Sequence, residues 1–269
     1  MIPIGILTAA ATSNFVGLLD DYPNATAAYS LRKLRNGYSG SCIQVRRSSD
    51  NTTLNIGFSN NVIDTTSLLT FCGVSDGFVS IWYDQSGNSK DAIQNTLANQ
   101  PKIVTAGVVI TINGKPSLQV DNTDFLSFTT TDFTLRTTFS VIKRSSSGVS
   151  FFPYGGGISH YQFSDNRYYF ETNTAFYGST LVDITSDQIL MSGYNSNSST
   201  IFQYKNNVLL PSPITTTISG TVFLSALFTI GRNPLFSSGF GQEIILYSFN
   251  NSSNLSDINT NINTFYNIY

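Results

Sequence analysis

At 269 residues the chain is long enough to bury a sizeable core, and it sits at the upper end of what one all-β domain occupies. Only 11% of its residues are charged, the formal net charge is -2, and 14 Tyr and 20 Phe must find an interior or a partner. This excludes a disordered chain and argues against a nucleic-acid partner, whose phosphates need several Lys or Arg contacts.

The first residues, "MIPIGILTAAATSNF", alternate around Ile2, Ile4 and Ile6, lack the basic start of a secretory signal and are too short to span a bilayer. No membrane insertion is expected. Residues 1–21 read as an arm that either docks as a strand on another subunit or completes an edge of its own sheet; residues 22–269 read as one domain. "ATAAYSLRKLRNGYSG" places Ala27, Ala28, Leu31 and Leu34 at spacings of three and four before Gly37, which predicts a short N-terminal helix. The basic residues Arg32, Lys33, Arg35, Arg46 and Arg47 read as a solvated or internally paired cluster, or as an anion or protein contact.

"SCIQVRRSS" alternates around Ile43 and Val45, and "GFVSIWYDQSG" alternates less cleanly around Phe78, Val79, Ile81 and Trp82. Short β-like runs follow: "PKIVTAGVVITING", "PSLQVD", "DFLSF", "LRTTFSVIKR", "RYYFET", "QILMSGYN", "TIFQYKN", "TVFLSALFTIG" and "QEIILYSFN". With Asn, Gly and Ser between them they predict antiparallel sheets packed face to face. Asn113-Gly114 and Asn206-Asn207 are hairpin turns by type, and the glycines Gly155 to Gly157 predict a loop. Cys42 and Cys72 could pair, but assembly in a reducing cytoplasm would leave two free thiols; no disulfide is predicted. Two Cys and His160, the one histidine, are too few for a structural zinc site. No phosphate loop, dinucleotide fingerprint or EF-hand loop is present, so no cofactor or metal is expected. Asn24, Asn51 and Asn251 head Asn-x-Ser/Thr sequences.

"GFVSIWYDQSGNSKDAIQNTLANQPKIV" resembles the arabinofuranosidase B catalytic-domain family, as does "AAYSLRKLRNGYSGSCIQVRRSSDNTTLNIGF", with Tyr29, Ser30 and Leu31, the run Arg46, Arg47, Ser48 and Asp50, and Phe71 to Gly73 in the same order. The resemblance runs from about Tyr22 to Asp124. More loosely, "QYKNNVLL" and "TIGRNPLFSSGFGQEIILYSFNNSSNLS" resemble laminin G-like and concanavalin A-like domains. The fold this implies is an all-β, concanavalin A-like antiparallel β-sandwich (jelly roll). The activity implied is removal of terminal arabinofuranose by two acidic residues, which in a retaining glycosidase stand ~5 to 5.5 Å apart. Glu171 and Glu243 are the only glutamates, neither matches the family's nucleophile motif, and the cysteine pair of the family's pocket is missing.

The candidate catalytic residues are Glu171, Asp84, Glu243 and His160. Glu171 in "YYFETNT" is either an aromatic-flanked sugar-pocket carboxylate or a strand-end residue facing water; the looser resemblance implies a structural role for Glu243. Asp84 in "YDQSGN" is either a pocket acid or a turn organiser, and His160 is an acid-base group or a hydrogen-bonded loop residue. Trp82, Tyr83, Tyr154, Tyr161, Tyr168, Tyr169 and Tyr177 could stack on sugars or fill the core. The incomplete catalytic pattern, the missing export signal and a surface rich in Asn, Ser and Thr lead to a first expectation. It is a bacteriophage structural or attachment protein, assembled in the host cytoplasm, joined to other virion subunits or to itself through the arm, and able to bind surface glycans. Against it stand an extracellular arabinofuranosidase and a non-catalytic carbohydrate-binding module.

Overall fold

The computed structural model describes the backbone of residues 15–121, 123–129, 137–144, 153–154, 159–162, 168–172, 175–178, 188–196, 200–211, 227–230 and 238–269. The arm residues 1–14 and the glycines at 155–157 lie outside it.

The architecture is an antiparallel β-sandwich. One layer contains Ile43–Arg47, Thr53–Ile56, Gly77–Trp82, Ala92–Ile93, Leu126–Thr129 and Leu227–Ile230. The other is built around Gly239–Tyr247, flanked by Ala27–Ser30 and Thr137–Arg144, and continues through Ile189–Ser196 and Thr200–Lys205. Lys102–Thr105 and Leu118–Val120 join the two layers by backbone hydrogen bonds. Between the layers lies a core to which Ile43, Val45, Val79, Trp82 and Phe128 contribute from one side and Tyr29, Ile142, Met191, Ile244 and Leu246 from the other. Each such side chain adds ~1.5 to 3 kcal/mol by leaving water.

Gly239–Tyr247 is buried on both faces, which explains the consecutive apolar residues Ile244, Ile245, Leu246 and Tyr247. Ile244 and Leu246 enter the sandwich interior, whereas Ile245 and Tyr247 face a second core with Phe139, Val141 and Leu190. That second core is capped by the helix Leu255–Tyr266, whose buried Leu255, Ile258, Ile262 and Tyr266 recur at helical spacing. Asn267 ends the helix in the left-handed region, with its N–H bonded to Asn263 O.

The helix expected around Ala27 to Leu34 is instead the strand Ala27–Ser30, paired with Glu243 to Leu246. All four of its residues are buried, so small side chains on both faces meet tertiary packing that outweighs helix propensity. The short N-terminal helix is Leu18–Asp21, and Leu18 and Leu19 are buried in the second core although they lie in the segment read as an arm. Gly17 is required before it, because a Cβ there would stand 2.2 Å from Leu34 O. A helix at Thr65–Cys72, not anticipated from the sequence, is capped by Asp64, which accepts from Ser67 N.

Two uneven features of the sequence have local causes. Ile43 pairs with Trp82 and Gln44 with Ile81, but Val45 pairs with Val79, leaving Ser80 as a bulge residue. The bulge returns both Val79 and Trp82 to the core, which is why their alternation looked irregular. The expected turns form with positive φ at Asn113 and Gly114 and at Asn206 and Asn207; Asn60 and Asn61 make a third.

Candidate functional site

Asp84 is not a free acid. Its Oδ1 accepts from Ala28 N and Ser86 N, both at 2.8 Å, and its Oδ2 accepts from Ser86 Oγ at 2.6 Å and Lys90 N at 3.1 Å. Gln85 beside it is fully buried; it accepts from Leu34 N and donates to Ser30 O and Arg32 O. Asn88 donates to Ala25 O and Thr26 O. The "YDQSGN" loop therefore splices residues 25–34 onto the end of Gly77–Trp82, and the reading of Asp84 as a catalytic acid is corrected to a turn organiser.

Glu243 is likewise withdrawn as a catalytic candidate. It is buried on the helix-covered face of its strand and takes Arg32 Nε at 2.7 Å and Nη2 at 2.9 Å, with Ser30 Oγ donating at 2.7 Å. Arg32 Nη1 donates to Asn261 Oδ1, and the guanidinium lies 5.0 Å from the Phe265 ring centre. The carboxylate is buried and its charge is paired in a two-pronged contact, which closes it to a substrate. Arg46 and Arg47 are also engaged, the first with Gln100, Asn51 and Leu97 O, the second with Asp50 and Phe71 O. The basic cluster is thus largely internal bracing.

Trp82 is fully buried and packs 5.8 Å from Tyr29, ring centre to ring centre, so it cannot stack on a sugar. Tyr83 points to the other side of the strand and donates to Asn55 Oδ1. Burial raises the pKa of Asp91, and Asp84 nearby adds to the rise against the bond from Asp84 N. Burial, then Asp91, also raises Tyr38 and Tyr83, which groups the three. Asp124 is a second unanticipated carboxyl: burial lifts it to about 6, Asp121 adding to the rise while the bond to Asp121 N and Lys102 oppose it. The only hint in the sequence was two aspartates three residues apart at a sheet corner.

Glu171 lies in Tyr168–Thr172, the central strand of a three-stranded sheet with Ser159–Gln162 and Ala175–Gly178. Glu171 is opposite Ser159 and Phe176, and Tyr169 is opposite Tyr161 and Gly178. Pleating therefore puts Glu171, Tyr161 and Tyr169 on one face. His160, Tyr168 and Tyr177 fall on the other, so His160 and Glu171 do not share a face. Tyr154 is in the short strand Pro153–Tyr154, paired with Leu227–Ile230.

Cys42 and Cys72 are buried free thiols. Among the described residues, no cluster of three His, Cys, Asp or Glu could hold a metal, and no helix is long and apolar enough to cross a membrane.

Residues 20–120 match the family model described as Alpha-L-arabinofuranosidase B, catalytic. Alpha-L-arabinofuranosidase B of Aspergillus niger is 36% identical over 76 residues, which are 28% of this chain and 15% of the relative; a probable alpha-L-arabinofuranosidase B of Aspergillus niger strain CBS 513.88 matches equally. The fold is similar to that of a GH54 α-L-arabinofuranosidase soaked with a cyclic sulfate inhibitor, with a TM-score of 0.67 and 15% identity. An arabinofuranosidase complexed with arabinofuranosyl-alpha-1,2-xylobiose gives a TM-score of 0.60 and 16% identity. Each superposition covers 88% of this chain and 62% of the other, so the chain spans less than two thirds of these structures and a small part of the curated relatives. These similarities overturn the expectation of a bacteriophage structural or attachment protein. The incomplete catalytic pattern behind it was judged from Glu171, Glu243 and the missing cysteine pair, and of these Glu243 is used by the fold as bracing.

Proposed function

We propose that the chain is a glycoside hydrolase of the α-L-arabinofuranosidase type, acting on terminal arabinofuranose, with Glu171 as one of its two catalytic carboxylates. The observation that carries the reading is the match of residues 20–120 to the catalytic-domain family. The β-sandwich is compatible with it, and an extracellular location accompanies it. Asp84 and Glu243 are committed to internal bonds, and Glu171 is the other glutamate of the sequence. In the backbone register Tyr169 pairs with Tyr161 two positions from Glu171, so aromatic residue types accompany the carboxylate along this sheet. In a retaining mechanism one carboxyl attacks the anomeric carbon while the other protonates the leaving oxygen and then activates water.

Release of 4-nitrophenol from 4-nitrophenyl α-L-arabinofuranoside by the purified protein tests the activity. Glu171→Gln, melting as wild type does, should lose on the order of a thousandfold in kcat, in the range expected for loss of a catalytic carboxyl. No turnover by folded wild-type protein would refute the activity; full turnover by Glu171→Gln would refute the assignment of Glu171.

A further inference from the structure

The sequence contains two Asn-Gly pairs, Asn36-Gly37 and Asn113-Gly114, and all four residues are exposed. An asparagine followed by glycine is open to attack on its own side chain, because no Cβ hinders the glycine nitrogen. The fold treats the two pairs differently. Asn113 is tethered: its Nδ2 donates to Tyr266 O at 2.8 Å and to Asn267 O at 2.6 Å, at the end of the helix Leu255–Tyr266. Its amide can turn toward Gly114 only by giving up both bonds.

Asn36 has no such tether. Tyr38 N donates to Arg35 O at 3.2 Å, which closes a turn with Asn36 and Gly37 at its centre, and Asn36 N donates to Asp20 Oδ2 at 2.7 Å. The turn is therefore held by its backbone. Among the described residues, no hydrogen bond engages the Asn36 side chain or the Gly37 N–H. A Cβ on Gly37 would meet no atom within 4 Å, so the space around the glycine is open.

We propose that Asn36 is a site of spontaneous deamidation in the native protein and that Asn113 is spared. The backbone nitrogen of Gly37 attacks Asn36 Cγ, the Cγ–Nδ2 bond breaks, and ammonia leaves with the proton that Gly37 N gives up, closing a cyclic imide. Water then opens either carbonyl of the imide and leaves aspartate or isoaspartate, so the net change is ammonia lost and water gained. Each event adds one negative charge to a formal net charge of -2. The isoaspartyl form also lengthens the main chain by a methylene in the turn that Asp20 holds. The site is independent of the hydrolase reading, since the reaction needs water and the chain itself.

A time course of the full chain in mildly alkaline buffer, native and in urea, tests this, with peptide mapping by mass spectrometry and enzymatic methylation of isoaspartate as readouts. In the native protein the peptide carrying Asn36 should gain the mass of the exchange and accept methyl groups. Asn113 should convert at least about tenfold more slowly, the factor set by two hydrogen bonds that must break first. In urea, where the helix end no longer holds Asn113, the two should convert at similar rates. Gly37→Ala, which the open space accommodates, should slow conversion at Asn36 in the native protein. Unmodified Asn36 in the native protein, equal native rates at Asn36 and Asn113, protection of Asn113 that persists in urea, or Gly37→Ala converting as fast as wild type would each overturn the proposal.

Discussion

Arg32 and Glu243, 211 residues apart in the chain, meet in a two-pronged contact of 2.7 and 2.9 Å beneath the C-terminal helix. Burial opposes the Arg32 charge, but Glu243 beside it outweighs burial and raises its pKa. The contact ties Ala27–Ser30 and the loop after it to the central strand and, through Asn261, to the helix.

Removing one member of the pair is expected to be worse than removing both. Arg32→Met leaves a buried carboxylate unpaired and should cost ~3 to 5 kcal/mol, whereas Arg32→Met/Glu243→Leu should recover much of that loss. Urea denaturation of both variants measures it. Equal destabilisation by the single and double variants would show that the pair's geometry, not its charge balance, holds this layer together.

Asp84 should behave as a structural residue. Asp84→Ala deprives Ala28 N, in a buried strand, of its acceptor and should cost ~2 to 3 kcal/mol, since bonds to a charged group exceed neutral ones. The fraction that remains folded should keep wild-type kcat on the chromogenic arabinoside. A loss of kcat without loss of melting temperature would return Asp84 to the catalytic candidates.

The carboxyls divide into two groups with opposite pH dependence. Asp124 has its pKa raised to about 6 in the folded state, so its contribution is fully present below the ordinary carboxylate range and is lost as pH rises through 6. Asp50 is lowered chiefly by its bond from Arg47, Asp64 by Ser67, and Asp76 by the Ala106 N–H. Their contributions are present above the ordinary range and fall away as pH drops below it. Asp124→Asn should therefore gain in melting temperature relative to wild type as pH moves from 4.5 to 7.5. A difference that stays constant across that interval would contradict the raised pKa.

The thiols should be silent in the native protein. Cys42 donates to Ser30 O within the core, and burial raises the pKa of both cysteines, Arg47 partly offsetting the rise at Cys72. Iodoacetamide without reductant should add no label to folded protein and two after unfolding, as read by intact mass. A single label on the folded protein would show that Cys72 opens to solvent.

The β class, the positions of most strands and the Asn-based turns were legible in the sequence, because alternation and positive-φ residues act over a few neighbours. Ile43, Val45 and the pair Asn113-Gly114 needed no distant partner to be read correctly. The resemblance over residues 22 to 124 was legible too, and the family match covers nearly the same stretch. Where distant packing decides, local pattern misled: Ala27 to Ser30 have helical spacing yet form a strand, since Gly239–Tyr247 and the Asp84 loop offer their backbone better partners than their own turn would. The helix at Leu255–Tyr266 was missed because its Asn and Thr are poor helix formers, and it is stabilised by packing its apolar stripe on a sheet face to which Phe139, Val141, Leu190, Ile245 and Tyr247 contribute from three separate strands. The roles of Glu243, Asp84 and Trp82 were decided in the same way. A carboxylate or an indole has the same chemistry in any sequence, and only the partners that folding brings within 3 Å of Glu243 and Asp84, and the core that closes over Trp82, determine whether it is free to meet a substrate.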